Sequence, residues 1–223
     1  MRLEHSHLRI ASLRVDTLAE IVRQDLGPLI DDLDSSLWRE VRRRSEYIDC
    51  EERPPDIAYR KMRPTGYLQL GIVNAESPAS PWALPLPAGL DRERELRAEL
   101  ECITEACRAH YGPGLLHLLV LAILAPGGSV PRHKDMGHNR DWKRFSHHLH
   151  VPLTEAELCE FSIGDETFFM QTGGVYEIDN MRPHSTRNLS STCRVNVMID
   201  YCAEANVALR DAALAGAKFE VAP

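Results

Sequence analysis

A chain of 223 residues, 43% hydrophobic and 26% charged, has the composition of an ordinary soluble globular protein with room for one core. Its formal net charge of −7 and lack of a basic tail exclude non-specific nucleic-acid binding, which needs cations to meet phosphates. The longest apolar run, LLHLLVLAILA (115–125), is too short to cross a bilayer and is broken by His117, and the first residues lack a signal-peptide core. We therefore expect a cytoplasmic protein with no nucleic-acid and no membrane partner. Its four lysines, Lys61, Lys134, Lys143 and Lys218, against many arginines suggest GC-rich coding DNA and a bacterial source. The six cysteines form no CxxC pair and are expected to be free thiols.

In chain order, LRIASLRV (8–15) reads as a short strand, and DTLAEIVRQDL as a helix with Asp16 as its N-cap. DSSLWREVRRR (34–44) predicts a second helix and DIAYRKM (56–62) a strand. The proline-rich segment 75–90 predicts a connection or lid. Residues 91–112 form an amphipathic helix that should stop at Gly112-Pro113. Beyond it the pattern changes to short strand-like runs: LLHLLVLAILA, RFSHHLHVPL, LCEFSI, ETFFMQ, GVYEID, HSTRNL and CRVNVMIDYC. Turn sequences separate them, among them Pro-Gly-Gly (126–128) and a Gly-Asp hairpin at 164–165. Residues 206–217 predict a closing helix. Many short strands with turns about every ten residues mean a sandwich or barrel with the helices packed outside. We expect a single domain, 1–223: N-terminal strands and supporting helices to 112, a β core over 113–202, and a C-terminal helix from 203.

His133 and Asp135 stand two apart in SVPRHKDMGHNRDW, so on a strand they would share a face. Two readings stand: a polar loop, or part of a metal site completed by a distant residue. His184, in NMRPHSTRN, is the best third ligand. His-x-Asp plus a distant His makes a 2-His-1-carboxylate triad, which holds Fe(II) on one face and leaves positions open for ligand oxygens and O2. Arg194 follows ten residues later in CRVNVMIDY, flanked by Val195 and Val197. It is either a buried salt-bridge partner or a planar fork for a carboxylate. A ferrous triad beside such an Arg suggests 2-oxoglutarate, a keto diacid that needs a cation for its far carboxylate.

The pieces PGGSVPRHKD, HLHVPL, GGVYEIDNMRPHSTRN and CRVNVMIDY resemble the aspartyl/asparaginyl β-hydroxylase family, which includes proline cis-4-hydroxylase-like enzymes. The resemblance covers roughly residues 115–202. It implies a mainly β fold with flanking helices, a double-stranded β-helix (jelly roll, cupin-like). His133, Asp135 and His184 carry over as iron ligands, Arg194 as the 2-oxoglutarate clamp, and His150 as a further cosubstrate residue. His148 stands where the family has Arg, which alters cosubstrate binding on that strand. The implied activity is Fe(II)/2-oxoglutarate-dependent hydroxylation of an unactivated C–H of an amino acid or amino-acid residue, with O2 consumed and succinate and CO2 released. A carrier-bound or peptide substrate and a homodimer remain open.

The segment 132–144 is basic, and Arg132, Arg144, Arg187 and Asn180 are candidate contacts to an anionic substrate; the alternative is a solvated charged loop. A rival reading is a cupin with another reaction, an isomerase, thiol dioxygenase or sensor. It would take His148, His150, Glu155 and His184 as ligands, and it leaves His133, Asp135 and Arg194 without a task.

Overall fold

The computed structural model describes residues 7–50, 65–71, 83–88, 90–135, 141–154 and 158–215. The strand expected at 56–62 and most of the proline-rich segment lie outside these residues. The strands are β1 (His7–Ser12), β2 (Thr65–Gly71), β3 (Ala83–Pro85), β4 (Gly114–His133), β5 (His147–Pro152), β6 (Cys159–Ile163), β7 (Glu166–Phe169), β8 (Gly174–Ile178), β9 (His184–Asn188) and β10 (Arg194–Ala203). The helices are α1 (Asp16–Ile21), which runs through a π-helical turn (Val22–Leu26) into α2 (Gly27–Ile30), then α3 (Ser36–Cys50), α4 (Glu93–Tyr111) and α5 (Val207–Leu214). Asp16 does not cap α1. Val15 is the N-cap residue and no side chain bonds there, so Asp16 sits inside the first turn, where its charge still faces the helix dipole favourably.

The strand order β1-β8-β5-β10-β4-β9-β6-β7 is continuous because the 20-residue β4 bends and serves two sheets. Its first half pairs with β10, from Arg194↔Leu124 to Ala203↔Gly114; its second half pairs with β9, ending at His133↔His184. The major sheet is therefore β1-β8-β5-β10-β4 with β2 and β3 added beyond β4, and the minor sheet is β4-β9-β6-β7. From β4 onward the chain winds between the two sheets, which is the jelly roll. The Pro-Gly-Gly sequence expected as a turn is instead the corner within β4. Gly127 adopts φ +70°, and a Cβ on Gly128 would sit 2.8 Å from the carbonyl oxygens of Ala125 and Gly66, so only glycine lets β2 cross there. Asn188 Nδ2 locks the corner by donating to the carbonyls of Leu124 (2.9 Å), Ala125 (3.2 Å) and Thr192 (2.8 Å).

The two faces of the major sheet differ in kind. Alternate residues Val195, Val197, Ile199 and Tyr201 of β10 join Leu119, Leu121 and Ile123 of β4, Leu149 and Val151 of β5, and Leu68 and Leu70 of β2 in one cluster with the helices. Helix α4 supplies Leu96, Leu100, Ile103 and Cys107 from its apolar stripe and ends, as expected, at Gly112 (φ 79°). At about 1.5–3 kcal/mol per buried large side chain, this outer face is where the stability lies. The inner face carries buried Gln69, His148, His150, Arg194, Asn196 and Asp200. Phe161 and Ile163 of β6, with Met170, meet Tyr176 and Ile178 of β8 in a smaller apolar cluster. Cys102, Cys107, Cys159, Cys193 and Cys202 are free thiols. Among the described residues no helix is long and apolar enough to cross a membrane.

Candidate metal centre

At the mouth between the sheets, ligand atoms of His133, Asp135 and His184 all lie within 4.8 Å of one another. The register pair His133↔His184 brings the two rings together across β4 and β9, centroids 4.2 Å apart and tilted by 53°. Each Nδ1 donates to a carbonyl, His133 to Pro131 O at 2.7 Å and His184 to Arg182 O at 3.0 Å. In the neutral ring that places the proton on Nδ1 and leaves Nε2 free as a ligand atom. Burial, then the charge of His133, pushes His184 down to about 4, so it is unprotonated at neutral pH. Asp135 is not on the strand, which ends at His133. A bend turns its carboxylate inward, fixed by its backbone N–H donating to Asn180 O (3.0 Å) and by Asn180 Nδ2 donating to Oδ2 (3.2 Å). Oδ1 lies 3.5 Å from His133 Nε2. Two neutral imidazoles and one carboxylate suit a ferrous ion.

Sequence reading missed Lys143 as a member of this centre. Its Nζ lies 2.6 Å from Asp135 Oδ2 and 3.7 Å from Asp200 Oδ2, and all three side chains are buried. It arrives on a short 3-10 turn (Asp141–Phe145) that packs on α5, a placement no spacing rule reveals. Burial alone would raise Asp135, but Lys143 and then the His133 hydrogen bond hold it well below the usual carboxylate range. Asp200 is likewise lowered against its burial by Lys143 and His148.

From Asp200 a buried run crosses the inner wall. His148 Nδ1 meets Asp200 Oδ1 at 2.5 Å, the Nε2 atoms of His148 and His150 are 3.0 Å apart, and Asn196 Nδ2 meets His150 Nδ1 at 2.7 Å. The arrangement in which Asn196 donates to His150, His150 to His148, and His148 to Asp200 satisfies the run. Burial, then the charges of His148 and Arg194, keeps His150 well below its ordinary range. All four ring nitrogens are thus engaged by protein groups. Neither His148 nor His150 joins the close group of ligand atoms among the described residues. Glu155, the carboxylate of the cupin reading, lies outside the described residues.

Arg194 opens β10 on this inner wall, 6% exposed. No described carboxylate pairs with it; Nη2 reaches only Met170 Sδ at 3.6 Å, and Nε has no partner. The salt-bridge reading of Arg194 is therefore not what the fold provides among the described residues. An unpaired buried guanidinium is costly unless an anion joins it.

Of the four substrate candidates, two need correction. Arg132 and Arg187 lie on the outer face of the minor sheet. The period of two that turns His133 and His184 inward turns their odd neighbours outward. There they flank a groove with Glu160, Ser162 and Ser185, and Arg132 Nη2 bonds Gly164 O at 2.8 Å. Asn180 is committed to Asp135, as above. Arg144 is half-buried on the turn beside Lys143.

Residues 98–204 match the sequence model of the Aspartyl/Asparaginyl beta-hydroxylase family. The match spans most of the jelly roll, from helix α4 to the end of β10. No curated protein matches the chain. Among solved structures, this chain is similar to AviO1 from Streptomyces viridochromogenes, 15% identical over 90% of each chain with a TM-score of 0.49. It is also similar to a Pseudomonas putida prolyl-4-hydroxylase, 17% identical over 89% of this chain and 93% of that one, TM-score 0.45. A predicted oxalate decarboxylase from Thermotoga maritima is 20% identical over 39% of this chain and 67% of its own, TM-score 0.32. These likenesses extend to the fold alone.

Proposed function

We propose that the protein is an Fe(II)/2-oxoglutarate-dependent oxygenase that hydroxylates an unactivated C–H of an amino acid, free, carrier-bound or within a peptide. His133, Asp135 and His184 would hold the iron, and Arg194 the far carboxylate of the cosubstrate. When bound, iron and 2-oxoglutarate supply the oxidising power that the side chains lack, with O2 consumed and succinate and CO2 released. The chain's own residues bind, orient and exclude water. The observation that carries the reading is the pairing of a ligand-ready His-Asp-His group with a buried guanidinium that has no counter-ion.

Charge balance supports it. The interior holds two carboxylates, Asp135 and Asp200, against two cations, Lys143 and Arg194. A dication and a dianion entering together leave that balance unchanged, whereas either alone would place uncompensated charge in a poorly solvated space. His148 and His150, engaged with Asp200 and Asn196, would line the cosubstrate space as a fixed wall. Phe161, 5.2 Å from the His150 ring and 6.3 Å from the His184 ring, keeps the far side apolar. The test is succinate formation in the presence of Fe(II), ascorbate, 2-oxoglutarate and O2, screened over the amino acids and acidic peptides. Substrate-dependent succinate is expected from the native protein, and none from His133→Ala. Full turnover by that variant would point instead to the cupin ligand set.

A further inference from the structure

Two strong donors in the interior meet only sulfur. Arg194 Nη2 lies 3.6 Å from Met170 Sδ, and Tyr67 Oη lies 3.5 Å from Met198 Sδ. Thioethers are weak acceptors, so both groups are poorly satisfied in the protein alone. The sheet register brings the two together. Tyr67 pairs with Leu124 on one side of β4, and Arg194 pairs with the same Leu124 on the other. Residues directly opposite across a sheet project to one face, and β2 and β10 lie about 10 Å apart across β4. Tyr67 packs its ring on Leu124 and Cys159, inside the roll. The next row repeats the arrangement: Gln69, Ala122 and Asn196 stand abreast, and Gln69 Oε1 and Asn196 Oδ1 are buried without partners. Leu124 and Ala122 thus floor a slot with polar residues on both sides, Tyr67 and Gln69 from β2 and Arg194 and Asn196 from β10.

Gln69 also sets the direction of the tyrosine. Its Nε2 donates to Tyr67 Oη, so the hydroxyl's own hydrogen must turn elsewhere. Burial keeps that hydrogen in place by pushing the phenol's ionisation upward, while Arg194 acts the other way more weakly.

We infer that Tyr67, oriented by Gln69, donates the second hydrogen bond to the diacid carboxylate that Arg194 holds. This rests on the cosubstrate reading above and adds to it a residue on β2, outside the 98–204 segment that carries the family match. The cradle thereby selects a keto acid with a second carboxylate at the far end.

The experiment is calorimetric titration of the Mn(II)-loaded protein, without O2, using 2-oxoglutarate and, separately, 2-oxobutyrate, which has the keto acid end and no far carboxylate. A hydrogen bond to a charged group predicts that Tyr67→Phe binds 2-oxoglutarate about tenfold or more weaker than the native chain. Its affinities for 2-oxobutyrate and for Mn(II) should stay unchanged. Gln69→Leu should lose less, about two- to fivefold, because it only frees the hydroxyl to rotate. Equal 2-oxoglutarate affinity in Tyr67→Phe and the native chain overturns the inference, as does an equal loss for both keto acids. Failure of the cosubstrate reading shows separately, in the native protein, as no preference for 2-oxoglutarate over 2-oxobutyrate; the inference then falls with it.

Discussion

Replacing Lys143 by Met should weaken the metal-free protein and strengthen its hold on a divalent metal. The ammonium sits 2.6 Å from Asp135 and 3.7 Å from Asp200, with side-chain exposures of 11%, 8% and 0%. At an effective dielectric of about 20 those separations correspond to about 6 and about 4.5 kcal/mol of attraction. Desolvation of the three ions offsets much of it. Methionine fills similar space but leaves two buried carboxylates without their shared cation, a change that costs about 3–5 kcal/mol. For a chain of this length that is a drop in Tm of about 6–20 °C. The sign with pH follows from Asp135. Its depressed ionisation is stability present above about pH 4 and lost as pH falls through the lowered value; without Lys143, burial raises the carboxyl and the loss begins at higher pH. A dication on Asp135 takes over the neutralisation, so at pH 8 the penalty in the Mn(II)-loaded state should shrink by at least about 1.4 kcal/mol. By linkage the variant then binds Mn(II) about tenfold tighter. Urea unfolding with and without Mn(II), together with calorimetric metal titration, measures both arms of the cycle. An identical penalty in the two states, or weaker metal binding, would refute the role given to Lys143 as the resident counter-ion of Asp135.

Arg194→Met removes a buried charge that has no described partner; thermal unfolding without ligand should show unchanged or higher Tm, while the stabilisation of the Mn(II)-loaded protein by 2-oxoglutarate disappears. His184 is neutral in the fold down to about 4 and protonates near 6.5 once unfolded, so native stability should decline as pH falls from 6.5 to 4, by about 3 kcal/mol from this residue. His184→Gln should flatten that decline, as read by urea midpoints across the window. Asn188→Ala removes the amide that bridges the carbonyls of Leu124 and Ala125 at the β4 corner to that of Thr192 and should cost about 2–4 kcal/mol, measured by the same unfolding with the metal site left intact.

The parts of the site that lie on regular strands could be read from sequence, and those that depend on pairing or on loops could not. Along β10, Arg194, Asn196 and Asp200 alternate with Val195, Val197 and Ile199, and this period of two alone announces a polar wall behind an apolar one. Asn196 and Asp200 were legible there, and the alternation is the signal that would have found them. The same rule applied to β9 would have turned Arg187 away from His184, where charge alone had placed it at the mouth. Asp135, Asn180 and Lys143 meet through a bend, a loop and a 3-10 turn, whose geometry has no period. Tyr67 becomes visible only when the register sets it abreast of Arg194 across Leu124. Pro126-Gly127-Gly128 reads as a turn by composition, yet it forms a corner within one strand, because β2 passes so close that Gly128 has no room for a Cβ.

A jelly roll with charged groups on its inner wall needs its stability from elsewhere, and the major sheet supplies it through the other face. Each valine or isoleucine of β10 that packs on the helices is covalently next to a polar residue facing the interior, so the apolar cluster fixes the backbone from which Arg194, Asn196 and Asp200 project. The inner wall can then keep unsatisfied atoms, at Gln69, Arg194, Asn196 and Asp200, without collapsing onto them. Filling the interior with leucine would raise stability and remove the polar wall. Those orphaned atoms cost about 1–3 kcal/mol each when buried without partners, a cost the apolar face carries.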